Sequence, residues 1–331
     1  MNYIGSKVKL STWIKKEITK ISNGELHDKV FCDLFAGTGA IGKLFKISVK
    51  KIISNDIEEY SYILNRNYIQ NHKNIPNKDA LLQELNALPP QENGFIYKNY
   101  CMGSGSERQY FSDENGKKID AMRIAINDWL KIGKIDNDTY YFLLCSLLES
   151  ADKVANTASV YGAFLKHLKP SAKKYINILP SNFELNDNAH EVYQEDSNVL
   201  IKKISGDILY LDPPYNERQY GANYHILNTI AKYDDFTPMG KTGMREYYRS
   251  NYCKKRKVLE SFEDLIKNAD FKYIFLSYNN EGLMSEYEIK HIMQKYGRYD
   301  LVTKEHQRYK ADNKREYKAD STFEYLHILY K

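Results

Sequence analysis

The chain has 331 residues, 42% of them hydrophobic, enough to bury the core of one large domain or two small ones. A formal net charge of +5 is modest, so any basic surface for an acidic partner has to be local. Cys32, Cys101, Cys145 and Cys253 stand far apart with no CxxC or Cys/His cluster, and no apolar run of about 18 residues or charged-then-apolar leader is present, so no disulfide framework, metal site, membrane span or signal peptide is signalled and a cytoplasmic setting is expected.

In chain order, residues 29–35 (KVFCDLF) read as a strand, GAIGKLFKI as the helix behind it and residues 51–56 (KIISND) as the next strand, which makes one βαβ unit. The texture then changes. Within residues 76–185, KIDAMRIAINDWLKIG and TYYFLLCSLLESADKVAN carry apolar residues at helical spacing, with the loop signals of NALPPQENG before them and of LKPSAKK after. Residues 190–196 (HEVYQED), 207–212 (DILYLD) and 272–278 (KYIFLSY) read as three further strands, and YDLVTKEHQRY with STFEYLHILYK as a closing antiparallel pair. The expected fold is α/β, a doubly wound, mostly parallel sheet built from residues 1–75 and 186–331 and interrupted by a helical insertion over 76–185.

The loop after the first strand, GTGAIG, satisfies GxGxxG with Gly37, Gly39 and Gly42, and Asp56 follows the loop by about 20 residues, where a ribose-binding acid belongs. The glycines say that a ligand approaches the backbone at the start of a helix, and the acid that it carries a ribose. A nicotinamide dinucleotide and S-adenosyl-L-methionine both satisfy these statements, and a tight turn needing glycine for packing alone is the bland alternative. Asp33 favours S-adenosyl-L-methionine, whose amino group is cationic, over a pyrophosphate that an acid would repel.

Behind the strand DILYLD comes DPPY, residues 212–215. The exocyclic amine of adenine is a poor nucleophile because its lone pair is delocalised into the ring. An Asp212 carboxylate and the Pro213 main-chain carbonyl, held by the Pro213-Pro214 turn, can each accept one N–H and return that pair to nitrogen. Tyr215 then offers a flat face for a base extruded from a duplex. The bland reading is a proline-rich turn that ends a buried strand.

In these motifs the chain resembles the DPPY DNA adenine-N6 methyltransferases, in the Dam-like order with the cofactor half first. NYIGSK resembles that family's opening motif, DLFAGTG its glycine loop, SNDIE its ribose-acid motif, DPPY its catalytic motif and FLSYNNEG the strand that follows. The resemblance covers the sheet domain, about two thirds of the chain. It implies the seven-stranded class I methyltransferase fold, S-adenosyl-L-methionine as cofactor, and a pocket lined by Tyr3, Lys7, Asp33, Phe35, Gly37 and Asp56, with Asp212 beside both cofactor and target amine. Asp196, ending the strand before DPPY, is a further candidate for the cofactor's adenine edge. Lys7 has a bland reading too, a solvated lysine at a helix start.

Residues 216–257 form a second chemically suggestive stretch, expected to contact DNA from within the catalytic domain. NERQYGANYH mixes Arg218 and Tyr220 with Asn223, Tyr224 and His225, donors and aromatic faces of the kind base edges require. GKTGMREYYRSNYCKKRK adds glycine hinges and the basic run Lys254, Lys255, Arg256 and Lys257, which a solvated helix face would also explain. The tail segment RYKADNKREYK is similar, but its acids alternate with its bases. Double-stranded DNA is the expected partner, and the expected setting is either a restriction-modification system with a separately encoded cognate endonuclease or an orphan methylase without one. Because the Dam-like target-recognition region lies where this chain has its insertion, two segments compete to read bases. The alternatives are an RNA base methyltransferase and a non-catalytic nucleic-acid-binding protein of the same fold; a nicotinamide oxidoreductase would leave DPPY unexplained.

Overall fold

The structure is a computed structural model that describes residues 7, 10–22, 24–307 and 321–331. Tyr3 and the tail segment RYKADNKREYK lie outside the described residues. The chain forms two compact units.

The sheet unit takes in the described residues through Ile57, then Asn188–Gln219 and Arg249–Lys331. Its strands are β1 (Val30–Asp33), β2 (Lys51–Asn55), β3 (Glu191–Tyr193), β4 (Ser205–Leu211), β5 (Asp270–Asn279), β6 (Arg298–Gln307) and β7 (Ser321–Tyr330), in the order β3-β2-β1-β4-β5-β7-β6. The first five pair in parallel, and β7 runs antiparallel to both β5 and β6. This is the expected doubly wound, mostly parallel seven-stranded sheet. Each strand read from the sequence is present. They were readable because helices cover both faces, leaving near-continuous apolar runs. Cys32, Leu209, Leu211, Ile274 and Leu276 pack with Phe262, Leu265 and Ile266 of the helix Val258–Asn268 and with Ile289 and Met293 of the helix Glu286–Gln294. Phe31, the neighbour of Cys32 in β1, instead stacks on Phe45 of the helix Ala40–Phe45, with ring centroids 4.3 Å apart. The strand order reverses between β1 and β4, which makes the carboxyl ends of these strands the place where such sheets bind ligands.

The helical unit takes in Glu58–Asp187 and Tyr220–Tyr248. Its long helices, Asp113–Lys131 and Asn137–Val154, begin at side-chain caps, Ser112 accepting from the Asn115 N–H and Asp136 from the Thr139 N–H. Their buried faces, including Ile119, Met122 and Ile126 on one and Phe142, Leu143 and Leu147 on the other, supply the core. No helix among the described residues is long and apolar enough to cross a membrane.

This division differs from the expected boundaries: Glu58–Ile75, expected in the sheet domain, and Tyr220–Tyr248 both join the helical unit, the latter splitting the 216–257 stretch. The reason is a set of buried polar contacts. Arg123 donates to the Ile230 and Ala231 carbonyls at 2.8 Å and so caps the helix His225–Lys232. Asp120 accepts from the Ile96 and Tyr97 N–H groups and from the Tyr233 hydroxyl, the last at 2.6 Å. Glu58 accepts from Asn228 at 2.6 Å, and the Tyr100 hydroxyl donates to the Gly243 carbonyl at 2.8 Å. Breaking any of these would strand a buried polar group at a cost of about 1–3 kcal/mol.

Candidate active site

The glycine loop is laced to the end of β2. Ala36 N–H donates to the Asn55 carbonyl at 2.9 Å, and the Asn55 side chain donates to the Leu34 carbonyl at 3.1 Å. Gly37 and Gly39 have φ of 53° and 74°, a left-handed backbone that favours glycine. The Gly37 N–H donates to Asp56 Oδ2 at 2.8 Å, so the acid placed to read a ribose also fixes the loop. Asp33, at the end of β1, is only 1% exposed. Its Oδ1 has no hydrogen-bond partner, although the Gly42 N–H donates to the carboxyl group. Burial, then the charge of Asp212, push this carboxyl well above the usual carboxylate range.

Asp212 follows β4, the strand that pairs directly with β1 through Asp33 and Tyr210. Lys7 Nζ lies 3.3 Å from Asp212 Oδ1 and 2.5 Å from Glu324 Oε1 on β7, and the Ser277 hydroxyl on β5 donates to the same Glu324 oxygen at 2.6 Å. Burial pushes the Asp212 carboxyl up to about 7; Lys7 opposes that rise and Glu324 adds to it. Burial lowers the proton affinity of Lys7, but Asp212 and Glu324 together outweigh it and hold the ammonium above its ordinary value. The cluster thus sets three carboxyl groups, Asp33, Asp212 and Glu324, against one ammonium.

Tyr215 stands 5.8 Å from Lys7 Nζ, measured to the ring centroid, and meets Tyr278 edge-on at 6.3 Å. Its carbonyl accepts from the Leu283 N–H at 3.0 Å, tying the DPPY turn to the loop after β5. Pro213 is buried and Pro214 half-buried in that turn. A Cβ added at Gly282 would overlap the Tyr278 ring, so the glycine of FLSYNNEG lets this loop close over the tyrosine that backs Tyr215.

The other sequence-predicted residues have varied settings. Phe35 packs edge-on against Tyr252 at 5.1 Å. Asp196 Oδ1 accepts from the Asn198 and Val199 N–H groups at 2.9 and 3.2 Å, capping the short helix Ser197–Leu200. Arg218 is exposed in the sheet unit, whereas Tyr220 belongs to the helical unit and stacks on Tyr224 at 6.1 Å. Lys254, Lys255, Arg256 and Lys257 are all exposed, in the turn that leads into the helix Val258–Asn268 and not on a helix face. Glu324 and Ser277 were not singled out from the sequence. The available signal was a glutamate at an inward position of the apolar strand STFEYLHILYK, since unpaired acids are rarely buried.

A family model described as D12 class N6 adenine-specific DNA methyltransferase matches residues 3–297. The Type II methyltransferase M.NlaIII of Neisseria lactamica is 65% identical to this chain, covering 100% of it and 99% of the relative. Type II methyltransferase M.FokI of Planomicrobium okeanokoites is 38% identical over 100% of this chain and 53% of its own length. Type II methyltransferase M.CviAII of Paramecium bursaria Chlorella virus 1 is 37% identical over 94% of this chain and 93% of its own.

Proposed function

The chain belongs to the D12 class of N6 adenine-specific DNA methyltransferases, and from that premise we propose that it methylates one adenine N6 within a defined sequence of double-stranded DNA, flipping the base out of the duplex to reach it. In this reading it is a site-specific modification enzyme whose cognate is a separately encoded restriction endonuclease. The Type II designation of its relatives supports that setting.

The family depends on S-adenosyl-L-methionine, which when bound supplies an electrophilic methyl group on a sulfonium. The residues present fit that group. Asp33 Oδ1 is buried without a partner, and Asp33, Asp212 and Glu324 set three carboxyl groups against the one Lys7 ammonium, acceptors that a cationic ligand would satisfy and, at Asp33, ionise. We assign Lys7, Asp33, Phe35, Gly37, Gly39, Asp56 and Asp196 to hold it, with Tyr3 added from the resemblance. Asp33 receives the amino group, Asp56 the ribose, and the glycine loop allows close backbone approach.

Asp212 and the Pro213 carbonyl accept the two N–H groups of the target amine. These acceptors would favour a pyramidal nitrogen with its lone pair free for alkylation, and the Asp212 carboxylate, already bonded to one N–H, would be placed to take the proton that the nitrogen then sheds. Pro214 keeps the turn rigid, and Tyr215 stacks on the extruded base, offsetting part of the few kcal/mol lost on unstacking. Arg218, Tyr220 and the run Lys254 to Lys257 are assigned to DNA. The run precedes the positive end of a helix, where cations are disfavoured for stability, which suits a phosphate partner.

The observation that carries this reading is that Asp33 ends β1 and Asp212 directly follows β4, which places both acids at the carboxyl ends of adjacent parallel strands at the sheet's reversal point. Its test is expression in a methylation-free host followed by genome sequencing with modified-base detection. Methyladenine at one short motif is expected. Intact protein with no modified adenine would reject the reading, and modified adenine confined to RNA would move it to the RNA enzymes.

A further inference from the structure

We propose that Glu324 is a positioning residue for catalysis: anchored by Ser277, it takes the short hydrogen bond of Lys7 and so keeps that ammonium from capping the Asp212 carboxylate that the target amine needs. The inference rests on the reading of Asp212 as the acceptor of that amine.

The geometry is asymmetric. Lys7 Nζ is 2.5 Å from Glu324 Oε1 but 3.3 Å from Asp212 Oδ1, so its shortest contact goes to the glutamate. Glu324 is 3% exposed and Ser277 fully buried, and the Ser277 hydroxyl fixes the accepting oxygen from the other side at 2.6 Å. The register explains why these groups meet: Glu324 lies opposite Asn279 across the β5–β7 ladder, with Ser277 two residues back along β5. Two demands on Asp212 are thereby separated. It has to stay ionised to accept an N–H in a buried place, which a nearby cation supports. It also has to keep its lone pairs available, which a directly bound cation would prevent. A lysine held at arm's length by a second acid satisfies both.

The charged and titratable groups around Asp212 are Lys7, Glu324 on β7, Asp33 on β1, Tyr210 on β4 and Tyr215 in the turn. Burial has already moved the Asp212 carboxyl up to about 7, so changes in its neighbours fall in a measurable pH range. Removing the Glu324 charge removes a like charge and releases Lys7 toward Asp212, and both effects lower the pH at which Asp212 loses its proton. Removing the Lys7 charge does the opposite.

The experiment is single-turnover methylation of cognate DNA at saturating cofactor as a function of pH, for wild type, Glu324→Gln, Lys7→Gln and Ser277→Ala. Isotope-labelled aspartate carboxyl NMR of the cofactor-free proteins accompanies it, with Asp212→Asn to assign the signal. Glu324→Gln should shift the acid limb and the Asp212 titration to lower pH by about one unit while its plateau rate falls about tenfold. Lys7→Gln should shift both upward. If Glu324→Gln does not fold, Ser277→Ala carries the test, with a smaller shift of the same sign as expected for Glu324→Gln. An unmoved or upward-moving Asp212 titration in the glutamate or serine variant overturns the proposal, as does a plateau rate equal to wild type. A wild type that titrates as described but methylates nothing would reject the function and not the electrostatics.

Discussion

Asp56 Oδ2 accepts the Gly37 N–H at 2.8 Å, which joins the acid after β2 to the glycine loop after β1. Asp56 therefore has two separable roles, as an anchor of the loop and as the proposed acceptor of the cofactor ribose. Asp56→Ala should lose both, costing on the order of 1–2 kcal/mol in stability and weakening cofactor binding about ten- to hundredfold. Asp56→Asn keeps an acceptor oxygen for Gly37 and should recover most of the stability. Calorimetric titration with the cofactor and chemical denaturation separate the two roles. Unchanged cofactor affinity in the alanine variant removes Asp56 from the pocket.

The sheet was legible because its strands announce themselves over a few residues: VFCD, KIISN and DILYL each bury both faces. The glycine loop and DPPY were legible for the same local reason, since the chemistry sits in consecutive positions. Glu324 was not, because its contact with Lys7 spans 317 residues and only the antiparallel return of β7 beside β5 creates it. The membership of Tyr220–Tyr248 was hidden likewise. NERQYGANYH looks like a continuous extension of the catalytic turn, yet Arg123 and Asp120, more than 100 residues earlier, hold the end of the helix that follows it, at Ile230 and Tyr233, in the helical unit. Polar letters in that segment that suggested DNA partly serve the protein. His225 is buried against the Tyr161 carbonyl, and burial pushes its imidazole down to about 4, so it is neutral at physiological pH.

Asp33 leads to a prediction about protons. In the cofactor-free protein burial and Asp212 hold its carboxyl well above the usual range, so it retains a proton as pH rises through that range. A cation bound beside Asp33 favours the carboxylate and lowers that value, so binding should release protons, and affinity should rise with pH between the bound and free values. Titration calorimetry at about pH 7 in buffers of different ionisation enthalpy measures the release. Asp33→Asn should release fewer protons than wild type and bind the cofactor more weakly. Equal release would place the cationic group elsewhere.

The Tyr215 ring is backed by Tyr278, and Gly282 leaves room for that contact. If a stacking face is what the extruded base requires, Tyr215→Phe should keep substantial activity while Tyr215→Ala loses about one to two orders of magnitude in single-turnover rate. Gly282→Ala should act at one remove, displacing Tyr278 and lowering the rate without weakening cofactor binding. Fluorescence of a 2-aminopurine placed at the target base reports extrusion directly, and the alanine variant of Tyr215 should show a smaller extruded population. Equal losses for Phe and Ala would assign the role to the hydroxyl.

The basic run Lys254 to Lys257 gives the most exposed test of the proposed DNA contacts. Lys257 lies 3.2 Å from Glu260 and Lys254 donates to Asn251 at 3.0 Å, but both contacts are exposed and exchange readily for stronger partners. Lys255 and Arg256 complete an uninterrupted cationic turn ahead of the helix Val258–Asn268. Phosphate contacts release counterions, so each one lost should flatten the plot of log affinity against log salt by about 0.9. Glutamine at all four positions should therefore lower the slope by up to about 3 to 4 if each contacts one phosphate. Affinity for matched and mismatched DNA should fall together, since phosphates carry no direct sequence information. Binding measured at several salt concentrations, with a cofactor analogue present and both DNA sequences in parallel, decides the outcome. An unchanged slope returns the run to a solvated turn, and a collapse of the matched-to-mismatched ratio means that these residues read bases and do not merely hold the backbone.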